Sequence, residues 1–190
     1  MKKVTLFATM ILALAMYASA QQTLIDFTKL PDTGTPASIQ DGYAGLRWSG
    51  LDYVDALTYS DAGAGFDTGP EAMVAFGGGP LCFPKYGGVN NDGVPTKNIC
   101  ESSISSSIGP TAMTLFEANY AEVAAGWVSD SIVVQAFLNG VQVGANQKYN
   151  LTTSAQKLTF PNWGPITELK IHPSPGGSFV IYVLNVTKVK

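Results

Sequence analysis

Charge is scarce in this chain. Only 13% of its 190 residues are Asp, Glu, Lys or Arg, and it holds one histidine and two cysteines. Low charge with 46% hydrophobic residues excludes a disordered chain, which needs more charge and fewer aromatics. A basic excess is also lacking, since 11 Lys and Arg face 14 Asp and Glu. That balance argues against a nucleic-acid partner, whose phosphates call for Lys and Arg, and against binding to an anionic membrane. With a single histidine, His172, and no Gly-x-Ser-x-Gly, His-Glu-x-x-His or phosphate-loop motif, the common hydrolase and nucleotide signatures are absent. His172 reads as a strand-end residue, hydrogen-bonded or solvated. Helical periodicity is nearly missing, and no apolar run after the first 20 residues is long enough to cross a bilayer, so no membrane insertion is expected.

The first 20 residues have their own logic. Lys2 and Lys3 precede an apolar stretch from Val4 to Met16, which ends in Ala18-Ser19-Ala20, the small-x-small form that signal peptidases cleave. The apolar run is too short for a transmembrane helix. Residues 1–20 are therefore expected to be a cleaved secretory signal, and residues 21–190 a secreted, extracellular domain. Removing Lys2 and Lys3 leaves nine basic residues against 14 acidic, a formal charge of −5. A length near 170 residues suits one domain with a real core.

In an oxidising compartment Cys82 and Cys100 are expected to pair. The disulfide would staple a Gly- and Pro-rich loop at 77–107 and contribute roughly 3 kcal/mol in the chain-entropy model. The alternatives, a metal pair or a catalytic thiol, lack further Cys or His ligands.

Short β-branched and aromatic runs alternate with Gly, Pro, Asn and Asp clusters, which predicts an all-β sandwich of two mostly antiparallel sheets. Strands are predicted near 23–27, 45–48, 72–76, 112–120, 131–138, 141–149, 157–160, 166–171 and 178–189. Asn139-Gly140 between two alternating runs predicts a hairpin closed by a type I′ turn. The final run, Phe179-Val180-Ile181-Tyr182-Val183-Leu184, is apolar on both faces and so belongs inside a layered sheet. From Ala56 to Ser107 the pattern loosens into Gly, Ser, Asp and Asn, a long surface excursion of the kind that carries binding residues.

Three segments carry a family likeness: Leu24-Ile25-Asp26-Phe27-Thr28-Lys29-Leu30-Pro31, Gly42-Tyr43-Ala44-Gly45-Leu46-Arg47-Trp48, and Phe116 to Trp127 leading into the 133–140 hairpin. With the closing strand, they resemble a family of secreted jelly-roll domains with a galactose-binding-like fold. That family occurs in fungal and bacterial exported proteins and is related to carbohydrate-binding modules. The resemblance implies a jelly roll that binds sugars or other surface ligands. In many members it also implies a structural calcium, held between an acidic residue after the first strand and an aspartate in the last. Here those positions read Thr28-Lys29 and Leu184-Asn185-Val186-Thr187, which lack the charged oxygens that Ca²⁺ prefers.

Candidate site residues fall into three sets. Sugars stack on aromatic rings, and Tyr53, Tyr59, Tyr86, Trp127 and Trp163 lie in or beside turn-rich stretches. Tyr86 and Trp163 are the better surface candidates, while Trp48 and Phe116 fall on strands and read as core. Asp52, Asp55, Asp61, Asp67 and Glu71 form an acidic run. It reads first as a solvated loop, then as a cation site through Asp52, Asp55 and Asp61, and last as a pair of catalytic carboxylates. Asn150-Leu151-Thr152 and Asn185-Val186-Thr187 match the N-glycosylation pattern. The leading expectation is a secreted, non-catalytic protein that recognises cell-wall or surface glycans. The alternative is a microbial effector or elicitor that engages a host protein, and a glycan hydrolase or lyase comes third.

Overall fold

Alternating apolar residues dictate the strands, and a computed structural model shows how they assemble. It describes residues 21–58, 65, 66, 69, 73–78, 102–106 and 115–189. Twelve strands occur among them: β1 (Gln21–Asp26), β2 (Ala37–Ser38), β3 (Leu46–Ser49), β4 (Asp52–Asp55), β5 (Met73–Gly78), β6 (Ser102–Ser106), β7 (Leu115–Ala125), β8 (Asp130–Leu138), β9 (Val141–Leu151), β10 (Gln156–Thr159), β11 (Glu168–Pro173) and β12 (Ser178–Val189). One 3₁₀ turn, Tyr43–Gly45, precedes β3.

The strands form two antiparallel sheets, so the protein is an all-β sandwich. Sheet A runs β10-β7-β12-β5-β4-β2, with β1 also paired to β12, and sheet B runs β3-β6-β11-β8-β9. β12 organises sheet A. Its first half pairs with β5 and its second half with β1, while β7 lies along its other side. Inward residues of both sheets, among them Ile25, Trp48, Ile104, Phe116, Leu169 and Phe179, meet in one buried cluster. A second apolar layer covers part of the outer face of sheet A, where Val180, Tyr182 and Val183 pack with Val54, Phe66 and Val74. The Tyr182 hydroxyl donates to the Gly65 carbonyl, and so ties the 65–66 segment over that face. β12 is thus apolar on both sides because both sides are covered.

Two bulges interrupt the β12–β7 register. Tyr182 is the extra residue on β12 and Asn119 the extra residue on β7. Each reverses the inside-outside alternation of its strand, so Tyr182 and Val183 both belong to the outer layer.

The Asn139-Gly140 turn closes the β8–β9 hairpin with φ of 51° and 79°, the paired positive values of a type I′ turn. Three strands lie outside the segments that periodicity marked. β6 falls inside the expected excursion at 56–107, yet it sits between β3 and β11 in the body of sheet B. Its sequence, Ser-Ser-Ile-Ser-Ser, holds one apolar residue, the fully buried Ile104, which is too little to mark a strand. β4 was hidden because both Tyr53 and Val54 are buried, on opposite faces, between flanking aspartates. β2 is only two residues long.

Gly140→Val forces a β-branched residue into positive φ at this turn. It is expected to lower stability by about 1–2 kcal/mol, read as a lower urea midpoint with unchanged slope. Stability should also depend on alkaline pH through two tyrosines. Burial, reinforced by the Asp26 charge, raises Tyr43 above its ordinary value of 10.0, and burial raises Tyr149. A raised folded pKa leaves this stability intact below pH 10 and removes it as pH climbs through the folded values. Urea unfolding of the Tyr43→Phe/Tyr149→Phe variant should therefore show a flatter decline above pH 10 than the parent.

Candidate functional site

Among the described residues, an open hollow lies at the β7–β10 end of sheet A. Leu158 and Phe160 point into the core, so alternation turns Lys157 and Thr159 to the outer face. β10 pairs with β7 in the register Lys157↔Glu122 and Thr159↔Tyr120, which sets Tyr120 beside Lys157. The Lys157 ammonium lies 3.7 Å from the centroid of the Tyr120 ring, a cation–π contact.

The segment after β10 forms the wall. The Phe160 N–H donates to the Asn119 carbonyl at 3.0 Å, and Phe116 and Ile166 exchange two backbone bonds of 3.1 and 2.8 Å, which fold the segment back onto β7. Asn162 Oδ1 accepts from the Gly164 N–H at 3.0 Å, an Asx turn that shapes the rim. Trp163 stacks on Phe160 at 5.8 Å and abuts Gly144 of β9. The resulting open hollow holds about 430 Å³, and Glu117, Asn119, Tyr120, Lys157, Asn162 and Trp163 are among its lining residues.

A polar network backs it. Asn185 Oδ1 accepts from Gln22 Nε2 and Asn119 Nδ2, both at 2.8 Å, and Asn119 Nδ2 also donates to Thr187 Oγ1 at 2.9 Å. Both hydrogens of the Asn119 amide are thereby used, so its remaining oxygen can only accept. The hollow combines rings for stacking, amides and hydroxyls for hydrogen bonds, one carboxylate and one ammonium.

No family model matches the chain, and no curated protein does. Among solved structures, it is similar to the enzymatically active domain of tailspike protein 4 from bacteriophage CBA120. The match has 12% identity and a TM-score of 0.36, and covers 80% of this chain and 21% of the tailspike chain.

The residues singled out from sequence are dispersed. Trp163 lines the hollow but is half-buried, held between Phe160 and β9. Trp127 is 40% exposed and lies elsewhere, on the turn after β7, its ring 5.2 Å from that of Phe66. Tyr53 is 5% exposed and belongs to the inter-sheet core, so it offers no surface to a sugar. Asp52 accepts from Ser38 Oγ at 2.8 Å and Asp55 from the Leu57 N–H at 2.9 Å. Three positions apart on β4, the two aspartates face opposite sides, and the described residues hold no cluster of three or more His, Cys, Asp or Glu. At the closing-strand position where the resemblance would place calcium, Asn185 Oδ1 already accepts two hydrogen bonds. His172 sits in β11 with Nε2 2.9 Å from Gln135 Oε1. Tyr59, Tyr86, Asp61, Cys82, Cys100 and residues 1–20 lie outside the described residues.

Glu117, Asn119, Tyr120 and Lys157 were missed because they sit on strands and read as ordinary sheet positions. The density of polar residues in Glu117-Ala118-Asn119-Tyr120 within an otherwise apolar run was the available signal, but the bulge at Asn119 breaks the period that would have put them on one face.

The two sequons also part. Asn150 is exposed, whereas Asn185 is 4% exposed and hydrogen-bonded. Expressed through a eukaryotic secretory pathway, the protein should lose one glycan by mass spectrometry on Asn150→Gln and none on Asn185→Gln. The second change should instead cost about 1–3 kcal/mol, because it leaves buried polar partners unmatched.

Proposed function

We propose that this protein is an exported, non-catalytic glycan-binding domain of the galactose-binding-like kind, and that the hollow between β7, β10 and the 160–164 segment is its binding site. The observation that carries this reading is the convergence of Tyr120 and Trp163 with Asn119, Thr159 and Asn162 around one open hollow. Rings take the C–H face of a pyranose while amides and hydroxyls bond its hydroxyl groups. Asn119 acts as an acceptor, and Glu117 adds a second whose charge the Lys157 ammonium balances, so the site suits the hydroxyl groups of a neutral sugar. A non-catalytic role is favoured by the single carboxylate, Glu117, among the lining residues, because glycosidase chemistry uses two.

The second reading, an effector that engages a host protein, is favoured by exposed apolar residues on the β7–β8 turn, where Trp127 is 40% and Val128 73% exposed. It predicts that Val128→Asp abolishes capture of that protein and leaves glycan retention intact.

Tyr120→Ala removes a partly exposed ring without opening the core. Retention on insoluble wall polysaccharides should fall about tenfold, the weight of one stacking contact with its hydrogen bonds, while thermal stability changes little. Unchanged retention in Tyr120→Ala and Asn162→Ala, or no retention by the parent protein, would exclude the hollow as a glycan site.

A further inference from the structure

The β8–β9 hairpin carries a second organised surface, on the outer face of sheet B, whereas the hollow opens beside β7 and β10 of sheet A. Between the pairs Val134↔Gln147 and Ala136↔Val143, three residues of β9 face the single residue Gln135. This bulge, with Gly144 at φ 70°, turns Asn146 onto the same face as Gln135 and Gln142.

The three amides are locked in one direction. The Gly144 carbonyl can only accept, so Gln142 presents Nε2 to it at 3.1 Å and turns its Oε1 to Gln135 Nε2 at 3.2 Å. Gln135 Oε1 is then left for His172 Nε2 at 2.9 Å, which makes that ring nitrogen the N–H donor. Gln142 Nε2 and Gln135 Nε2 both donate to Asn146 Oδ1, at 2.7 and 2.8 Å. Every hydrogen of the two glutamine amides is used, and the Asn146 NH₂ is the donor pair left facing outward. Gln142 and Asn146 are exposed, a setting where side-chain entropy ordinarily keeps amides free, so this ordering holds a binding group ready.

Charge points the same way. Lys148, two residues along β9 and about 7 Å away on the same face, is exposed. Lys170 of β11 lies on this face too, its ammonium 5.1 Å from the Phe137 ring centroid. Glu168 of β11 shares this face with Lys170, and Lys148, on the edge strand, is the exposed cation beside the ordered amides.

We infer that this platform binds the carboxylate of a uronate-bearing oligosaccharide, with Lys148 and the Asn146 amide as its ligands. Recognition of an extended peptide by strand addition is disfavoured, because β9 is the edge strand and its bulge breaks the ladder a peptide would extend.

The full-length protein is titrated calorimetrically with oligogalacturonate, oligoalginate, methyl-esterified oligogalacturonate and poly-glutamate. The expected result is binding to at least one uronate oligomer, weakened about tenfold or more by esterification, by high salt and by Lys148→Ala, and several-fold by Asn146→Ala. Lys148→Arg should keep most of it, and both alanine variants should retain neutral polysaccharides as the parent does, which separates this platform from the hollow. Absence of uronate binding by folded protein, equal binding of acid and ester, or indifference to both alanine changes would overturn the assignment. Equal affinity for poly-glutamate would overturn its saccharide part.

Discussion

Everything in sheet A is arranged around the burial of β12 on both faces. A strand that is apolar on both sides has to be covered twice, once by sheet B and once by the outer layer that includes Phe66. It must also be hydrogen-bonded along both edges. β7 runs along one of these, while β5 and β1 share the other. An error in this strand would therefore be felt by three neighbours and two layers at once.

The fit of β12 to β7 is imperfect in a useful way. Each strand carries one extra residue, Tyr182 on β12 and Asn119 on β7, and the two insertions compensate so that pairing resumes beyond them. One bulge gives the outer layer two consecutive anchors, Tyr182 and Val183. The other hands Asn119 to the polar network that backs the hollow. A third bulge, in β9, does the same for Asn146 on the opposite sheet. In each case an irregularity of pairing re-aims a side chain that a regular strand would have placed elsewhere. The two faces that result differ in chemistry. The hollow gathers rings, amides and one carboxylate–ammonium pair, and the hairpin platform gathers ordered amides beside Lys148.

The strands with clean alternation or long apolar runs could be read directly, from β1 through the β8–β9 hairpin to β12. Asn139-Gly140 was decisive because few residues other than Asn and Gly accept positive φ twice in succession. What escaped had a physical cause. β6 has one inward residue, Ile104, and β4 is buried on both faces, so neither shows a period-two signal strong enough to separate it from a loop. Tyr53 reads from sequence as a residue beside a turn-rich stretch, whereas it lies in β4 with its ring in the inter-sheet core. The candidate site escaped almost wholly, because Tyr120 and Lys157 meet only through strand pairing, and composition carries no trace of pairing.

The claim that the β7–β10 hollow binds a neutral glycan is tested most directly by mapping contact residue by residue. Backbone amide shifts of isotopically labelled protein are followed by NMR as a soluble neutral oligosaccharide is added. The account predicts saturable shifts at 117–120 and 157–164 and at Gly144, which Trp163 touches, with 135–142 and 146–148 left unmoved. Shifts confined to other segments, or none at ligand concentrations that saturate polysaccharide retention, would contradict it.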